Sequence, residues 1–388
     1  MNETQTRPRG LFYCQPLLGI GHLIRSLYIC KALIRQFDID FIYGGAQKDL
    51  TIHSPHFHLL QLPSLWIRDL KALMQNPPLI EDPTGKHSFQ EIMQTRSEIL
   101  KAYKQKHYDF IITEMYPFSK RVFTKEIESL LDGAREVNPK CLIICSFRGI
   151  SLPLPPGSEI KIVKSIYKDY HYILSHADPS VINFKHFFSL TDAIKDKILY
   201  TGFVSDPDDH PIHKTRKKQI IVTFGAGFYG GKLPAATAQV AALMPDYQFI
   251  FSLGPKVDLQ VKEKIESSKT PNIVITDFIS NFSEVLSESA LSISLGGSTL
   301  VDTTKTMTPA LVFTETSLEH QFRAERFAEK GAVKIFTNDD LSPEKFKALI
   351  EEALQKPFQP AHIDVNGAEK TTEIISQLLK TPQGKADK

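Results

Sequence analysis

The chain has 388 residues, of which 42% are apolar and 23% are charged, so it is long enough to form two globular domains with separate cores. Its 46 Lys and Arg nearly balance 44 Asp and Glu, which leaves a net charge of +2. This balance argues against broad nucleic-acid binding, which depends on clustered positive charge, and against intrinsic disorder. Nucleic acid is therefore not an expected partner.

Cysteine usage and the absence of long apolar runs point to a reducing, aqueous compartment. Four cysteines, Cys14, Cys30, Cys141 and Cys145, are too few for a disulfide framework in a chain of this length, and we expect buried thiols. The basic N-terminal residues are not followed by a signal-peptide core, and no run approaches the roughly 18 apolar residues of a membrane span. We expect a cytoplasmic protein, with peripheral contact at the inner face of the membrane left open.

Strand and helix patterns alternate from the start of the chain. Residues 10–15 are predicted to be a buried strand, 19–37 a helix and 38–45 a second strand, which is the repeating unit of a parallel sheet. A helix is predicted around 121–137. Further strands of this half are predicted at 109–118, 141–149, 171–178 and 198–204.

A polar segment with two prolines, 205–219, is the predicted linker to a second series. Strands of that series are predicted at 220–227, 247–254, 272–278, 290–297 and 309–315, with helices at 233–243, 281–289, 299–307, 319–330 and two more within 343–379. We predict two Rossmann-like, doubly wound α/β domains, 1–204 and 220–388, facing a central cleft. This domain prediction includes the option that the final helix packs back on the first domain.

The first Gly-rich turn, Gly19-Ile20-Gly21-His22, joins the first predicted strand to the first helix. Glycine permits a tight turn and close approach of a ligand, and a helix N-terminus favours negative charge. His22 has an ordinary pKa near working pH and suits a general base for a hydroxyl or a water molecule. A histidine that caps and packs the helix would have the same spacing, so both interpretations stay open.

Three turns of the second half also follow predicted strands, where ligands of α/β proteins bind. Gly225-Ala226-Gly227 and Gly296-Gly297-Ser298-Thr299 could hold a diphosphate through backbone amides, and Asp302 could accept hydrogen bonds from ribose hydroxyls. Glu319-His320-Gln321 would line the same cleft. Turn formation and helix capping explain each motif equally well on its own.

Together these segments resemble the MurG-like glycosyltransferases of the GT-B fold. Residues 290–333 carry the most specific likeness, because a strand, a Gly turn, an acidic helix residue, a Pro-Ala strand and a Gln-bearing helix follow in the family's order. The Gly19–His22 turn matches the loop with the family's proposed catalytic His. With residues 113–123, the start of the chain is most similar to a bacterial subgroup described only as predicted glycosyltransferases.

The resemblance implies an inverting, metal-independent transfer of a hexosyl or N-acetylhexosaminyl group from a nucleotide-sugar, of UDP type, to an acceptor hydroxyl, with no further cofactor. It implies His22 as the general base. Acceptor-side residues would be Gly19, Gly21, Arg25, Glu114 and Arg148. Donor-side residues would be Gly225, Ala226, Gly227, Phe278, Ile279, Gly296, Gly297, Ser298, Thr299, Asp302, Glu319 and Gln321.

Two positions depart from the family pattern. Asp302 stands where Glu is more frequent, which shortens the reach toward ribose by one methylene group. Gly149 follows Arg148 where the subgroup is expected to have Asp, which weakens an acid role at 149.

Other functions share parts of this pattern. A nucleotide-sugar hydrolase would use a Gly-x-Gly-His-x-x-Arg loop, present from Gly19 to Arg25, to activate water instead of an acceptor. An epimerase of UDP-N-acetylglucosamine shares the fold, but its carboxylate set is not evident, and a non-catalytic binding protein would not need His22. The histidines at 53, 56 and 58 lack nearby carboxylate or Cys residues in sequence and are not expected to bind a metal.

Charge is distributed unequally between the two halves. Residues 1–200 hold 25 Lys and Arg against 20 Asp and Glu, whereas the remainder hold 21 against 24. A basic first half with an apolar stretch at 59–74 favours a lipid-linked or otherwise anionic acceptor at a membrane surface. Ordinary scatter explains a bias of this size as well.

Overall fold

The structure, a computed structural model, divides into two compact units. Unit 1 comprises Met1–Pro179, Asn183–Pro207 and Asn366–Lys388, and unit 2 comprises Ser180–Ile182 and Asp208–Val365. The boundary between the two units after Pro207 falls within the predicted linker, 205–219. The structure describes residues 7–17, 19–46, 52–67, 79–151, 154–210, 212–213, 215–225, 231–254, 257, 259–267, 270–356 and 360–381. Ala226 and Gly227, two of the candidate donor residues, and positions 68–74 of the apolar stretch lie outside these residues.

Unit 1 is built on a seven-stranded parallel sheet in the order β3-β2-β1-β4-β5-β6-β7. Its strands are β1 Arg9–Cys14, β2 Asp38–Tyr43, β3 Phe57–Gln61, β4 Phe110–Glu114, β5 Leu142–Phe147, β6 Tyr172–Ser175 and β7 Ile198–Tyr200. Its first four helices are α1 Gly21–Leu33, α2 Phe89–Lys104, α3 Thr124–Val137 and α4 Ser158–Asp169. The central strands are mostly apolar and almost entirely buried because helices cover both faces of the sheet.

Unit 2 has a six-stranded parallel sheet in the order β10-β9-β8-β11-β12-β13. Its strands are β8 Lys217–Thr223, β9 Gln248–Ser252, β10 Ile273–Thr276, β11 Ser289–Ser294, β12 Ala310–Phe313 and β13 Lys334–Phe336. Its helices are α5 Leu233–Ala242, α6 Leu259–Ser267, α7 Phe282–Glu288, α8 Thr299–Lys305, α9 Leu318–Glu329 and α10 Pro343–Gln355. Strand order reverses between β8 and β11, as it does between β1 and β4 in unit 1, and such reversals are where doubly wound sheets bind ligands.

The last helix, α11 Gly367–Lys380, belongs to unit 1 and packs against α1. Ala368 and Ile375 of α11 share one core with Leu23 and Ile29 of α1. The amide of Gly367 donates to the carbonyl of Phe203, which fixes the start of α11 beside the end of the first sheet. Helix α1, which carries His22, is therefore packed between the first sheet and α11.

The region 46–108, which contains the apolar stretch at 59–74, contributes the edge strand β3 and helix α2 to unit 1. Arg96 of α2 is fully buried and uses all its donors: Nε and Nη2 donate to Glu126, Nη2 also to Tyr13 Oη, and Nη1 to Gln15 Oε1 and to the Pro63 carbonyl. This ion pair ties α2 and α3 to β1. None of the helices in the part of the chain that the structure describes is both long and apolar enough to cross a membrane.

Candidate active site

His22 and Glu114 meet where the strand order of unit 1 reverses. His22 is the second residue of α1, which follows β1, and Glu114 is the last residue of the neighbouring strand β4. The Nδ1 atom of His22 lies 2.5 Å from Oε1 of Glu114, whose side chain is fully buried. The ring therefore faces a carboxylate and does not cap its own helix, so the capping interpretation of His22 is wrong for its side chain.

The environment of the pair sets its protonation state. Burial lowers the pKa of His22 to about 4, although Glu114 acts in the opposite direction. Burial opposes ionisation of Glu114, but His22, Arg25 and Lys120 outweigh it and lower the pKa of Glu114 to about 2. At neutral pH the imidazole is neutral and the carboxylate ionised. Because the carboxylate accepts the Nδ1 hydrogen, the lone pair resides on Nε2.

Two arginines complete the contacts of the pair. The guanidinium of Arg25 donates through Nη2 to the same Oε1 of Glu114. On the other side of the ring, Nη1 of Arg148 lies 3.4 Å from Nε2 of His22, and Nε of Arg148 donates to the carbonyl of Ile150 over 3.1 Å. Gly19, with a φ of 69°, and Gly21, the first residue of α1, form the turn before His22. All the predicted acceptor-side residues thus lie in or beside one cluster.

A second buried histidine lies beside this cluster and was missed by the sequence analysis. His176 lies just after β6. Its Nε2 is hydrogen-bonded to Ser146 Oγ and its Nδ1 to Thr201 Oγ1, both at 2.8 Å. Burial and the nearby charge of Arg25 lower the pKa of His176 to about 3. No pattern of spacing marks an isolated buried histidine, which explains the omission.

The backbone of His176 also accounts for glycine at position 149. Gly149 has a φ of 82°, and a Cβ there would lie 2.7 Å from the Cβ of Ala177 and 3.0 Å from the carbonyl oxygen of His176. Only glycine fits such a position. The aspartate expected from the subgroup is sterically excluded in this structure, and no acid operates at this point.

Acidification below pH 6.5 is expected to destabilise unit 1. His22 and His176 bind a proton near pH 6.5 in the unfolded chain but only near 4 and 3 when folded, so stability present above pH 6.5 is lost as the pH falls toward those values. Each group contributes up to about 1.4 kcal/mol per pH unit to the free energy of unfolding. Urea unfolding at pH 7, 6 and 5 measures the slope. An unchanged slope in His22→Asn would contradict the assignment for His22.

In unit 2 a glycine turn after β11 lies against the start of α9. Gly296 has a φ of 81°, and a Cβ there would lie 2.8 Å from the carbonyl oxygen of His320. Nη1 of the buried Arg323 donates to the carbonyl of Gly296 over 3.0 Å, and its Nη2 bonds to Glu319. Because the two ends of a trans peptide point in opposite directions, the Gly297 amide is directed away from Arg323. Arg323 was not predicted from the sequence.

The remaining donor-side residues are only partly assembled by the structure. Ser298 precedes the seven-residue helix α8 without a side-chain cap, and Asp302 is buried in its first turn. Gln321, predicted to reach the sugar, is exposed and donates to Glu325 over 2.9 Å. The carbonyl of Phe278 accepts from Thr276 Oγ1 over 2.9 Å, while its ring is 41% exposed. Thr299 begins α8, Ile279 follows β10 and Gly225 follows β8. The donor roles of these residues stay predictions.

Among the described residues, no group of three His, Cys, Asp or Glu side chains is placed to hold a metal ion. His56, for which no carboxylate partner was expected from the sequence, has its Nδ1 2.7 Å from Oδ1 of Asp38. That contact is a surface hydrogen bond at the opposite end of β2 from the His22 cluster.

Comparison with known proteins identifies the fold. Residues 231–378 match the family model of the glycosyltransferase family 28 C-terminal domain. Over 97% of its length the chain is similar to 94% of the calicheamicin glycosyltransferase CalG4, with 14% identity and a TM-score of 0.55. The fold is GT-B. This confirms the predicted class of two doubly wound α/β domains.

Two further structures share this fold. MurG of Acinetobacter baumannii has 14% identity and a TM-score of 0.50, over 95% of this chain and 100% of that one. A putative UDP-N-acetylglucosamine 2-epimerase from Listeria monocytogenes has 14% identity and a TM-score of 0.55, over 98% and 99%. No curated protein matches the chain. The domain match and the fold support the predicted glycosyltransferase class, whereas the MurG-like subgroup stays a prediction.

Proposed function

We propose that the protein is an inverting, metal-independent glycosyltransferase that moves a hexosyl or N-acetylhexosaminyl group from a UDP-sugar to an acceptor hydroxyl. The observation that carries this proposal is the His22–Glu114 pair, which holds a neutral imidazole with its lone pair on Nε2. The match of residues 231–378 to a glycosyltransferase domain supplies the donor side of the proposal.

In the proposed reaction His22 is the general base. Nε2 takes the proton of the acceptor hydroxyl while the hydroxyl oxygen bonds to the anomeric carbon of the donor sugar. The bond from that carbon to the diphosphate breaks, and its electron pair leaves with UDP. Glu114 stabilises the imidazolium that forms, in the manner of the carboxylate of a catalytic triad. Nη1 of Arg148 now lies 3.4 Å from Nε2, and the acceptor hydroxyl would take this position beside Nε2.

On the donor side the glycine turn after β11 is proposed to meet the diphosphate. The leaving group gains negative charge as its bond breaks, and oriented amides stabilise such charge without reorganisation. Arg323 and Glu319 hold this turn in place, so the Gly297 amide is fixed before the donor binds. We extend the proposal to a lipid-linked or otherwise anionic acceptor, met at the inner face of the membrane, because residues 1–200 carry an excess of basic side chains.

A nucleotide-sugar hydrolase is the second candidate, because Arg25 of the Gly-x-Gly-His-x-x-Arg loop contacts Glu114. Incubation with UDP-, GDP- and TDP-sugars in the absence of acceptor separates the two functions. A transferase should bind UDP, as measured by calorimetry, and leave its UDP-sugar intact by NMR of the anomeric proton. Rapid stoichiometric release of free sugar would instead support the hydrolase, and absence of binding to all three nucleotides would overturn both.

Replacing Asp302 with asparagine is expected to weaken UDP binding by about tenfold or more, because a charged acceptor to the ribose hydroxyls is lost. The side chain is buried in the first turn of α8, and asparagine keeps its shape. Calorimetry with UDP measures the effect, and Asp339→Asn, at an exposed position of unit 2, is the control. Equal UDP affinity in both variants would remove Asp302 from the donor site.

A further inference from the structure

Arg25 lies on α1 one turn after His22, and its side chain is directed at the end of β4. Residues three positions apart share one face of a helix, so His22 and Arg25 reach Glu114 from successive turns. Nη2 of Arg25 donates to Oε1 of Glu114, and the two side chains are 13% and 0% exposed. The resemblance placed Arg25 on the acceptor side, whereas the structure turns its guanidinium to the carboxylate that partners His22.

The ion pair between Arg25 and Glu114 does not use both oxygens of the carboxylate. Arginine and carboxylate groups frequently form two parallel hydrogen bonds. Here Nδ1 of His22, at 2.5 Å, and Nη2 of Arg25 share Oε1. Oε2 of Glu114 and Nε of Arg25 are both buried, and neither has a hydrogen-bond partner among the residues that the structure describes. Such atoms lower stability, so the shared oxygen needs an explanation other than stability.

The shared oxygen fixes how the carboxylate faces the imidazole. A carboxylate with one partner can turn about its last side-chain bond, where the rotational preference is broad, and can present either oxygen. A second donor on α1 removes that freedom and holds Oε1 at Nδ1. Because α1 is packed between the first sheet and α11, both donors start from a fixed backbone. The tautomer with its lone pair on Nε2 therefore depends on Arg25 as well as on Glu114.

The charge of Arg25 keeps Glu114 a weaker base than His22. Burial lowers the pKa of Arg25 against the attraction of Glu114, but a guanidinium stays charged at any working pH. Burial raises the pKa of Glu114, and the charges of His22, Arg25 and Lys120 outweigh it. The other groups that act on these side chains are Arg148 after β5, Cys14 at the end of β1 and His176 after β6. Burial leaves the thiol and the second imidazole uncharged at neutral pH, because it raises the pKa of Cys14 to about 12 and lowers that of His176 to about 3.

We propose that Arg25 is a positioning residue, which holds the Glu114 carboxylate with Oε1 against Nδ1 of His22 throughout the transfer step. Nε2 then gains the proton of the acceptor hydroxyl, Nδ1 keeps its own proton, and Glu114 gains none. In this scheme Arg25 acts on the base through Glu114 and does not bind the acceptor. The inference rests on the proposed function, because it assigns a role in that reaction.

Titration of the His22 ring by NMR tests this role without any sugar or acceptor. The full-length protein is isotope-labelled in histidine, and the His22 signals are assigned by their loss in His22→Asn. In the wild type we expect the tautomer with hydrogen on Nδ1 and constant signals from pH 8 to about 5.5, because the pKa of His22 is about 4. Arg25→Met removes the cation, leaves Oε1 to His22 alone and should raise the midpoint by at least about one pH unit.

Further variants separate the charge of Arg25 from its volume, and urea unfolding shows that each is folded. Arg25→Lys keeps the charge and should titrate like the wild type. Arg25→Gln is neutral but can still donate to Oε1, and it should show the rise even if Arg25→Met does not fold. Arg121→Met removes an exposed arginine that bonds to Ser158 Oγ and should titrate like the wild type. An unchanged midpoint in the neutral Arg25 variants, or an equal rise in Arg25→Lys or Arg121→Met, would overturn the proposal.

Turnover separates the role of Arg25 from the proposed function. Measured as UDP release, kcat of Arg25→Met should fall at least about tenfold, because a misdirected base loses the benefit of its orientation. UDP affinity, measured by calorimetry, should not change. A normal kcat in Arg25→Met would overturn the role of Arg25. Absence of UDP binding in the wild type would instead overturn the proposed function while the titration result stands, so the two failures differ.

Discussion

Replacing Glu114 with glutamine is expected to lower kcat by about 10⁴-fold while leaving UDP affinity unchanged, by comparison with the effect of amide substitution in catalytic triads. The carboxylate accepts the Nδ1 hydrogen of His22 and thereby fixes the lone pair on Nε2. An amide can present its NH₂ group to Nδ1 instead, which moves the lone pair away from the acceptor. It also withdraws the negative charge that stabilises the imidazolium.

The protonation of His22 is not the cause of this loss. Glu114 raises the pKa of His22 against the larger effect of burial, so removing the charge lowers that pKa further below its ordinary value. His22 therefore remains neutral at pH 7 in the variant. The decrease in kcat should persist at higher pH, and a decrease that vanishes at high pH would contradict the tautomer assignment.

Stability needs a separate control because Glu114 also pairs with Arg25, and removing one partner of a buried ion pair destabilises by about 3–5 kcal/mol. Glu126→Gln breaks the comparably buried pair with Arg96 without touching His22. Both variants should unfold at lower urea concentrations than wild type. Only Glu114→Gln should lose turnover per folded molecule, and an equal loss in both would assign the effect to the fold.

The sequence predicted the parts of this site that depend on local pattern. An apolar strand, a glycine turn and a helix lie close together in the chain, so the position of His22 at the start of α1 follows from the local sequence alone. The contact with Glu114 spans 92 residues and depends on β1 and β4 being neighbours. The resemblance placed Glu114 on the acceptor side, but its hydrogen bond to Nδ1 emerges only from the sheet order.

Other features could not be predicted because single residues carry no periodic signal. An isolated lysine such as Lys120 is normally solvated, and neither its positive φ nor its burial is visible in the sequence. Strand β8 begins at Lys217 inside the predicted linker, because its first two residues are exposed lysines that have the composition of a loop. Gln321 was predicted from the order of motifs, which does not fix the direction of a side chain on α9.

Replacing His22 with alanine is expected to lower kcat by about 10²–10⁴-fold, the usual contribution of a positioned general base. UDP affinity should not change, because the predicted donor residues belong to unit 2. Turnover is measured as UDP release, and His56→Ala, which removes a half-exposed histidine paired with Asp38, is the control.

The pH profile distinguishes a base from a packing residue. A base must be neutral, so kcat/KM of the wild type should fall as the pH decreases through about 4 and not through the ordinary histidine value of 6.5. The residual activity of His22→Ala should lack this acidic limb. If the variant keeps both kcat and the limb, another group accepts the proton, and the short contact between His22 and Glu114 would then serve only to hold α1 against the sheet.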